Sequence, residues 1–340
     1  MTSFMRCEIE EIPQAAQRLL DSQRGELIDA GRRLRALDPR LIVTVARGSS
    51  DHASAYLKYA IELTTGVPVA SVGPSVASIY GARLKLRDSA TIAVSQSGKS
   101  PDIVAMAQQA RQSGSFTLAL TNTPGSPLGA GADASIDIAA GLERSVAATK
   151  TFVNSALAGV AILAEWADDE ALRTAVQSLP QKFADALACD WSPFGGAIGA
   201  GDSLFVLGRG PSLAIANEAA LKFKETSAVH AEAYSAAEVM HGPLALVETG
   251  FPVLALTGDD DARLSILAAA ETLGQKGAAI FVTGEGTGGA RALPFAPTGH
   301  PLADPLSLIV SFYAFVESFS LSRGFDPDQP RNLKKVTETV

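Results

Sequence analysis

The chain has 340 residues, 47% of them hydrophobic and 19% charged, with a formal net charge of -8. That size allows a large core and two domains, while the acidic balance and scattered basic residues exclude a broad nucleic-acid face. No apolar run reaches the roughly 18 residues of a membrane span and the first residues, Met1 to Arg6, carry no signal-peptide pattern, so the expected address is cytoplasmic.

Residues 12–37 have helical apolar spacing and charged flanks, as in an N-terminal helical arm. Short apolar runs then follow at 41–45, 67–72, 90–94 and 117–120, with a fifth at 135–138, and they alternate with helix-length segments from His52, Pro74 and Pro101. Strands alternating with helices predict a mostly parallel, doubly wound sheet. Two long helical patterns, 152–168 and 170–189, lead through a looser glycine-rich stretch at 192–201 to a second alternation. Its strands are expected at 204–207, 252–256 and 278–282, and its helices begin at Pro211, Asp261 and Pro305.

The two halves align. Val45-Ala46-Arg47-Gly48-Ser49-Ser50 lies over Leu207-Gly208-Arg209-Gly210-Pro211-Ser212 at an offset of 162 residues (Arg47 to Arg209), and Ser75 to Gly81 lies over Ser235 to Gly242 at nearly that offset. A tandem duplication accounts for both.

In the first half, the 90–94 run feeds Ser95-Gln96-Ser97-Gly98-Lys99-Ser100-Pro101-Asp102. Hydroxyls, a glycine and a helix opened by Ser and Pro gather amide N–H groups where an anion, a phosphate above all, is favoured. The segment also satisfies a relaxed P-loop pattern. A P-loop needs its Lys and Ser inside the first helical turn, however, and Pro101 places the helix start after them. The second half has Leu256-Thr257-Gly258-Asp259 at the matching place, and the acidic run Asp259 to Asp261 would repel a phosphate. The first copy is therefore expected to bind and the second to supply something else.

Ionisable groups enter an apolar region at Glu218-Ala219-Ala220-Leu221-Lys222-Phe223-Lys224-Glu225, then at His230-Ala231-Glu232-Ala233-Tyr234 and Glu238-Val239-Met240-His241-Gly242-Pro243. Lys222 and Glu225, three apart, share a helix face and can shift each other's proton affinity; the competing reading is a surface ion pair. His241 precedes a rigid Gly-Pro step and is the side chain suited to proton transfer near neutral pH. Cys7 and Cys189 lack CxxC spacing and the four histidines lack metal-ligand spacing, so neither a disulfide framework nor a metal or other cofactor is expected.

Arg47-Gly48-Ser49-Ser50, Ser95 to Gly98, Val146-Ala147-Ala148-Thr149-Lys150, Leu221 to Glu225, His230 to Tyr234, His241 to Leu246 and the tail Asp328 to Lys335 together resemble the sugar isomerase (SIS) double-domain family. They are similar to the isomerase half of glucosamine-fructose-6-phosphate aminotransferase and to the short SIS-type glucosamine-6-phosphate deaminases. The resemblance runs from about residue 35 to the C-terminus. It implies an α/β fold of two tandem SIS domains, each a doubly wound parallel sheet flanked by helices in a flavodoxin-like three-layer arrangement. The expected division is an arm over 1–35, a phosphate-binding SIS domain over 36–170, a helical linker over 171–198, a catalytic SIS domain over 199–324 and a closing tail over 325–340.

By the same resemblance Ser50, Ser95, Gln96, Ser97 and Ser100 match the phosphate cradle. Ser49, Val146 and Ala148 match sugar-contacting positions, and Glu225, Lys222, His241 and Lys335 match the catalytic group. Arg47 stands where the synthase pattern has Cys, and Ala148 where it has Ser. No segment here resembles the synthase's glutaminase domain, so the expected direction is release of ammonia from glucosamine 6-phosphate, giving fructose 6-phosphate. Other enzymes on the same scaffold stay open: an aldose-ketose isomerase, a fructosamine-6-phosphate deglycase or an ammonia-dependent synthase. So does a noncatalytic phosphosugar sensor. The resemblance implies a homodimer in which His241 crosses into the neighbouring subunit's site, with no nucleic-acid or membrane partner.

Overall fold

Two runs of alternating strands and helices form two parallel sheets in the computed structural model, which describes residues 2–333 and 335 apart from 287. Along the chain, α1 (Phe4–Glu10), α2 (Ile12–Ser22) and α3 (Arg24–Leu37) precede β1 (Leu41–Val45), α4 (Ser49–Thr65), β2 (Val69–Ser71) and α5 (Ser75–Ser78). Next come β3 (Ser89–Val94), α6 (Pro101–Gln112), β4 (Phe116–Thr121), α7 (Pro127–Gly131) and β5 (Ala134–Asp137). α8 (Lys150–Ala167), α9 (Glu170–Leu187) and α10 (Ser192–Ile198) lead to β6 (Ser203–Gly208), α11 (Pro211–Ser227) and β7 (His230–Ser235). Two 3-10 turns, Glu238–Met240 and Pro243–Leu246, are followed by β8 (Pro252–Ala255), α12 (Arg263–Gln275), β9 (Ala279–Thr283), β10 (Arg291–Leu293) and α13 (Asp304–Ser322).

The chain divides into two compact units. One holds β1 to β5 and takes residues 14–143 and 150–177 with Lys335; the other holds β6 to β10 and takes residues 2–13, 144–149 and 178–333. The first sheet runs β2-β1-β3-β4-β5 and the second, read in the matching direction, β7-β6-β8-β9-β10. Every adjacent pair is parallel. Strand order therefore reverses between β1 and β3 in one sheet and between β6 and β8 in the other. In open α/β sheets that switch point opens a crevice at the strands' carboxyl ends, where ligands bind.

Covering helices explain the apolar strands. β3 and β4 are buried at all six positions, as expected of strands covered on both faces. In the first unit Val43, Val45 and Ala93 pack with Ile103, Met106 and Ala107 of α6. In the second, Phe205, Leu207, Val253 and Ala255 pack with Ile266, Ala270 and Leu273 of α12. α8 and α13 are apolar around nearly their whole circumference and each lies in the core of its unit. α13 is long and apolar enough to cross a membrane by composition, yet 83% of that window is buried inside the protein. Its Phe312, Phe315 and Phe319 all make ring contacts with Phe223 of α11.

The structure corrects three expectations about elements. The arm over 12–37 breaks at Gln23 into α2 and α3, with α1 ahead of them. The glycine-rich stretch after 192 contains α10, opened by Pro193 in its first turn. β7 and β10 carry no apolar run because they are edge strands: β7 reads His-Ala-Glu-Ala-Tyr-Ser, with one fully buried side chain.

Candidate functional site

The carboxyl ends of β1 and β3 carry the predicted phosphate cradle. Val45 pairs with Ala93, so the loop from Ala46 into α4 and the loop from Ser95 into α6 leave adjacent strand ends at one level. Ser100 caps α6 with Pro101 in its first turn, as the sequence predicts, whereas α4 opens at Ser49 and Ser50 rather than at the expected His52. Lys99 and Ser100 stay outside α6, so the P-loop arrangement is not formed.

The Ser95 to Ser100 loop is firmly held. The carbonyl of Gln96 accepts from Asn122 N at 3.1 Å, and the Gly98 carbonyl accepts from Leu128 N at 3.0 Å. Gly98 has φ +60, and a Cβ there would lie 2.0 Å from Ser126 Oγ. Only glycine fits that turn. Gly98 N donates to Ser95 Oγ at 3.2 Å and Lys99 N to Ser97 Oγ at 3.3 Å, while the Ser100 hydroxyl makes no capping bond. Ser95 is buried; Gln96, Ser97 and Ser100 are half-buried and Lys99 is exposed. The loop thus presents hydroxyls without a carboxylate of its own, a lining suited to an anion.

Arg47 adds a charge. Its Nε donates to Asp102 Oδ2 at 3.1 Å, where Asp102 is wholly buried in the first turn of α6. In the first turn of α4, burial lifts the Asp51 carboxyl above its usual range, against the pull of His52 and Arg47.

In the β6–β10 unit, α11 places Lys222 between two carboxylates. The Lys222 side chain is fully buried; its Nζ lies 2.5 Å from Glu225 Oε2 and 3.3 Å from Glu218 Oε1. Spacings of three and four residues bring all three onto one helical face. Tyr313 of α13 donates its hydroxyl to the same Glu218 oxygen at 2.9 Å. Burial pulls the Lys222 pKa down, the charges of Glu218 and Glu225 push it up, and the net direction is upward, so the ammonium form is held. The surface-pair reading of Lys222 and Glu225 is thereby removed: Glu225 is one-fifth exposed and the lysine not at all. The sequence assigns Glu218 no role, although its place one turn before a lysine in an alanine-rich helix is a signal for one.

The other predicted residues fall elsewhere. His241 follows the first 3-10 turn on an exposed loop, its N–H donating to the Glu238 carbonyl at 2.9 Å. Among the described residues no hydrogen bond or ion pair joins its ring to Lys222 or Glu225. Val146 and Ala148 sit in the segment 144–149, whose Ser145 N–H reaches the Glu8 carboxylate of α1 at 3.3 Å. Lys335 belongs to the other unit, its Nζ 3.0 Å from Glu143 Oε2. Glu143 is buried and also accepts from Thr151 N at 3.1 Å and Thr151 Oγ1 at 2.7 Å. Nothing in the sequence had singled it out. No cluster of potential metal ligands occurs among the described residues.

Comparison with known proteins agrees with this architecture. A candidate phosphosugar isomerase from Silicibacter pomeroyi DSS-3 is 55% identical in sequence and superposes with a TM-score of 0.93 over 96% of this chain and 100% of its own. The C-terminal domain of glucosamine-fructose-6-phosphate aminotransferase from Francisella tularensis is 26% identical, with a TM-score of 0.86 over 97% of this chain and 98% of that one. Among curated proteins, glutamine–fructose-6-phosphate aminotransferase from Symbiobacterium thermophilum is 34% identical over 98% of this chain, which spans 58% of that enzyme's length. The SIS domain model matches twice, over residues 37–164, which hold β1 to β5, and over 199–290, which hold β6 to β9. This chain is accordingly a member of the SIS domain family, built on two SIS domains in tandem.

Proposed function

We propose that this protein is a phosphosugar enzyme of the isomerase kind whose reaction is the deamination of glucosamine 6-phosphate to fructose 6-phosphate and ammonia. The observation that carries the reading is the buried Glu218–Lys222–Glu225 group on α11, in a chain whose other SIS domain bears a hydroxyl-lined anion cradle. A fully buried ammonium kept charged by two carboxylates is costly for stability alone. Beside a substrate it is suited to stabilising negative charge that develops on an oxygen.

In this reading Ser50, Ser95, Gln96, Ser97 and Ser100 bind the phosphate, and Ser49 with the backbone around Val146 and Ala148 contacts the sugar. His241 donates a proton to the ring oxygen and removes one from the anomeric hydroxyl, opening the ring. Glu225 takes the proton from carbon 2 and returns it to carbon 1 through an enolamine, leaving an imine at carbon 2. Water adds to that imine and ammonia leaves, giving the ketone of fructose 6-phosphate. Lys222 stabilises the oxygen that becomes electron-rich during the proton shift, and Lys335 on the tail covers the sugar. His241 acts from a second copy of the chain, which its exposed loop and the lack of any bond from its ring to Lys222 or Glu225 support.

The test is to incubate the purified protein with glucosamine 6-phosphate and measure ammonia and fructose 6-phosphate, with and without glutamine. Equal release of both products in the two conditions is expected. Fructose 6-phosphate consumption that needs added ammonia, or no ammonia at all from the amino sugar, overturns the deaminase assignment.

A further inference from the structure

An anion cradle at the start of a helix is weakened by an acid in that helix's first turn, and this one has such an acid. Asp102 lies two residues after the cap Ser100, wholly buried, where water cannot screen it. α4, which opens from the neighbouring strand end, likewise has Asp51 in its first turn. A phosphate dianion placed against Ser95, Ser97 and Ser100 would meet the field of both carboxylates. Arg47 is a cation that meets both: its guanidinium bonds Asp102 and its charge, with that of His52, acts on Asp51. The other ionisable groups on these two loops are His52, which also acts on Asp51, and the exposed Lys99. Among the described residues, Asp102 is the only hydrogen-bond partner of the Arg47 side chain, which is half exposed.

We propose that Arg47 is a positioning residue of the phosphate site, which by neutralising the buried Asp102 at the head of α6 allows a dianion to bind in the β1/β3 crevice. The proposal rests on the phosphate-cradle reading above and deepens it. Arg47 brings the counter-charge to Asp102 from the protein itself. The bond also ties together the two loops that carry Ser50 and Ser95 to Ser100, and a purely mechanical clamp makes a different prediction from a charge-compensating one.

Binding of inorganic phosphate is measured by calorimetry on the full chain carrying Ser97→Ala, Arg47→Ala, Arg47→Lys, Asp102→Asn, or Arg47→Ala with Asp102→Asn, with thermal melting as a check on folding. Arg47→Ala is expected to weaken phosphate binding by at least about tenfold, and Arg47→Lys by less. Asp102→Asn should bind as tightly as the parent or tighter, and adding it to Arg47→Ala should restore affinity to within about threefold. Loss of binding in Asp102→Asn, or parent-like binding in Arg47→Ala, overturns the proposal. If Arg47→Ala fails to fold, Asp102→Asn and Arg47→Lys alone decide it. Weakening by Ser97→Ala but not by Arg47→Ala ends this inference and leaves the cradle standing, whereas a parent protein that binds no phosphate at millimolar concentration ends both.

Discussion

The two SIS domains share a strand order and differ in what that order presents. At the β1/β3 switch point the loop into α6 offers Ser95, Ser97 and Ser100 around a left-handed Gly98, with the nearby carboxylate of Asp102 paired to Arg47. At the matching β6/β8 position the loop into α12 is anchored by acid instead. Asp304 Oδ2 accepts from Asp259 N at 2.9 Å, and its other oxygen accepts from Thr298 N and Oγ1. Burial, with the charges of Asp304 and Asp261, lifts the Asp260 carboxyl above its usual range. In the proposed function the first switch point takes the anion, and the acid lining of the second disfavours one. What the second domain offers lies on α11, as the buried Lys222 group. In the function proposed above, a single architecture thus separates into a binding half and an acid–base half.

The largest expected effect tests that division. Glu225→Gln removes the carboxylate base while keeping the shape, and turnover should fall by about 10²–10⁴-fold with phosphosugar affinity changed by no more than about threefold. Turnover near the parent rate would remove Glu225 from the acid–base role. Next comes a pair of glycine substitutions in the two matching loops. Gly98→Ala forces an L residue into φ +60 and drives its Cβ against Ser126 and Thr121, so a loss of about 2–4 kcal/mol and of phosphate binding is expected. Gly258 has no positive φ and the atoms nearest to an added Cβ belong to the Asp304 side chain, from 3.0 Å, so Gly258→Ala should cost about 1 kcal/mol. Equal melting temperatures and equal phosphate affinities in the two variants would dissolve the contrast.

Much of this difference was legible in the sequence, and the part that was not has identifiable causes. β1, β3, β4, β6 and β9 are covered on both faces, so they appear as mostly apolar runs broken at most by a threonine. β7 escapes notice because a sheet edge tolerates His230 and Glu232 in solvent. The cradle was legible because local signals fix it: a Ser cap, Pro101 and a glycine where the chain must turn back. The burial of Lys222 was not, because three and four residue spacings look alike on an exposed face and under a packed helix. The packing of α13 against α11 separates the two, and Tyr313 bonds Glu218 across it from 95 residues away. Glu143 was invisible for the same reason, since its partners Thr151 and Lys335 declare it only in three dimensions.

A smaller effect belongs to the cradle's hydroxyls. Ser97→Ala should raise the Michaelis constant for a phosphosugar by about tenfold with the turnover number little changed, because a bond to a charged phosphate is lost in ground and transition states alike. A fall in turnover number with an unchanged Michaelis constant would move Ser97 from binding to chemistry.

The smallest effect concerns the sheet edges, where the two domains also differ. Asp133, just before β5, accepts from Thr117 N and Oγ1 at 2.9 Å each and from Arg111 Nε at 2.8 Å. Burial works to raise its pKa, but these bonds and the Arg111 charge prevail and hold the carboxyl below its ordinary value. β10, the matching edge of the other sheet, has the Arg291 guanidinium over the Phe281 ring at 5.5 Å, a contact with no carboxylate to titrate. A depressed carboxyl stabilises the fold above its unfolded-state pKa, and that contribution disappears as pH falls through the lower folded-state value. Asp133→Asn should therefore cost about 1 kcal/mol at neutral pH and leave the variant and parent equally stable once both are titrated below that range. Arg291→Gln should instead lower stability by the same small amount at every pH. Chemical denaturation from neutral to acid pH distinguishes them, and a constant gap for Asp133→Asn would show that its bonds, rather than its charge, hold the β5 edge.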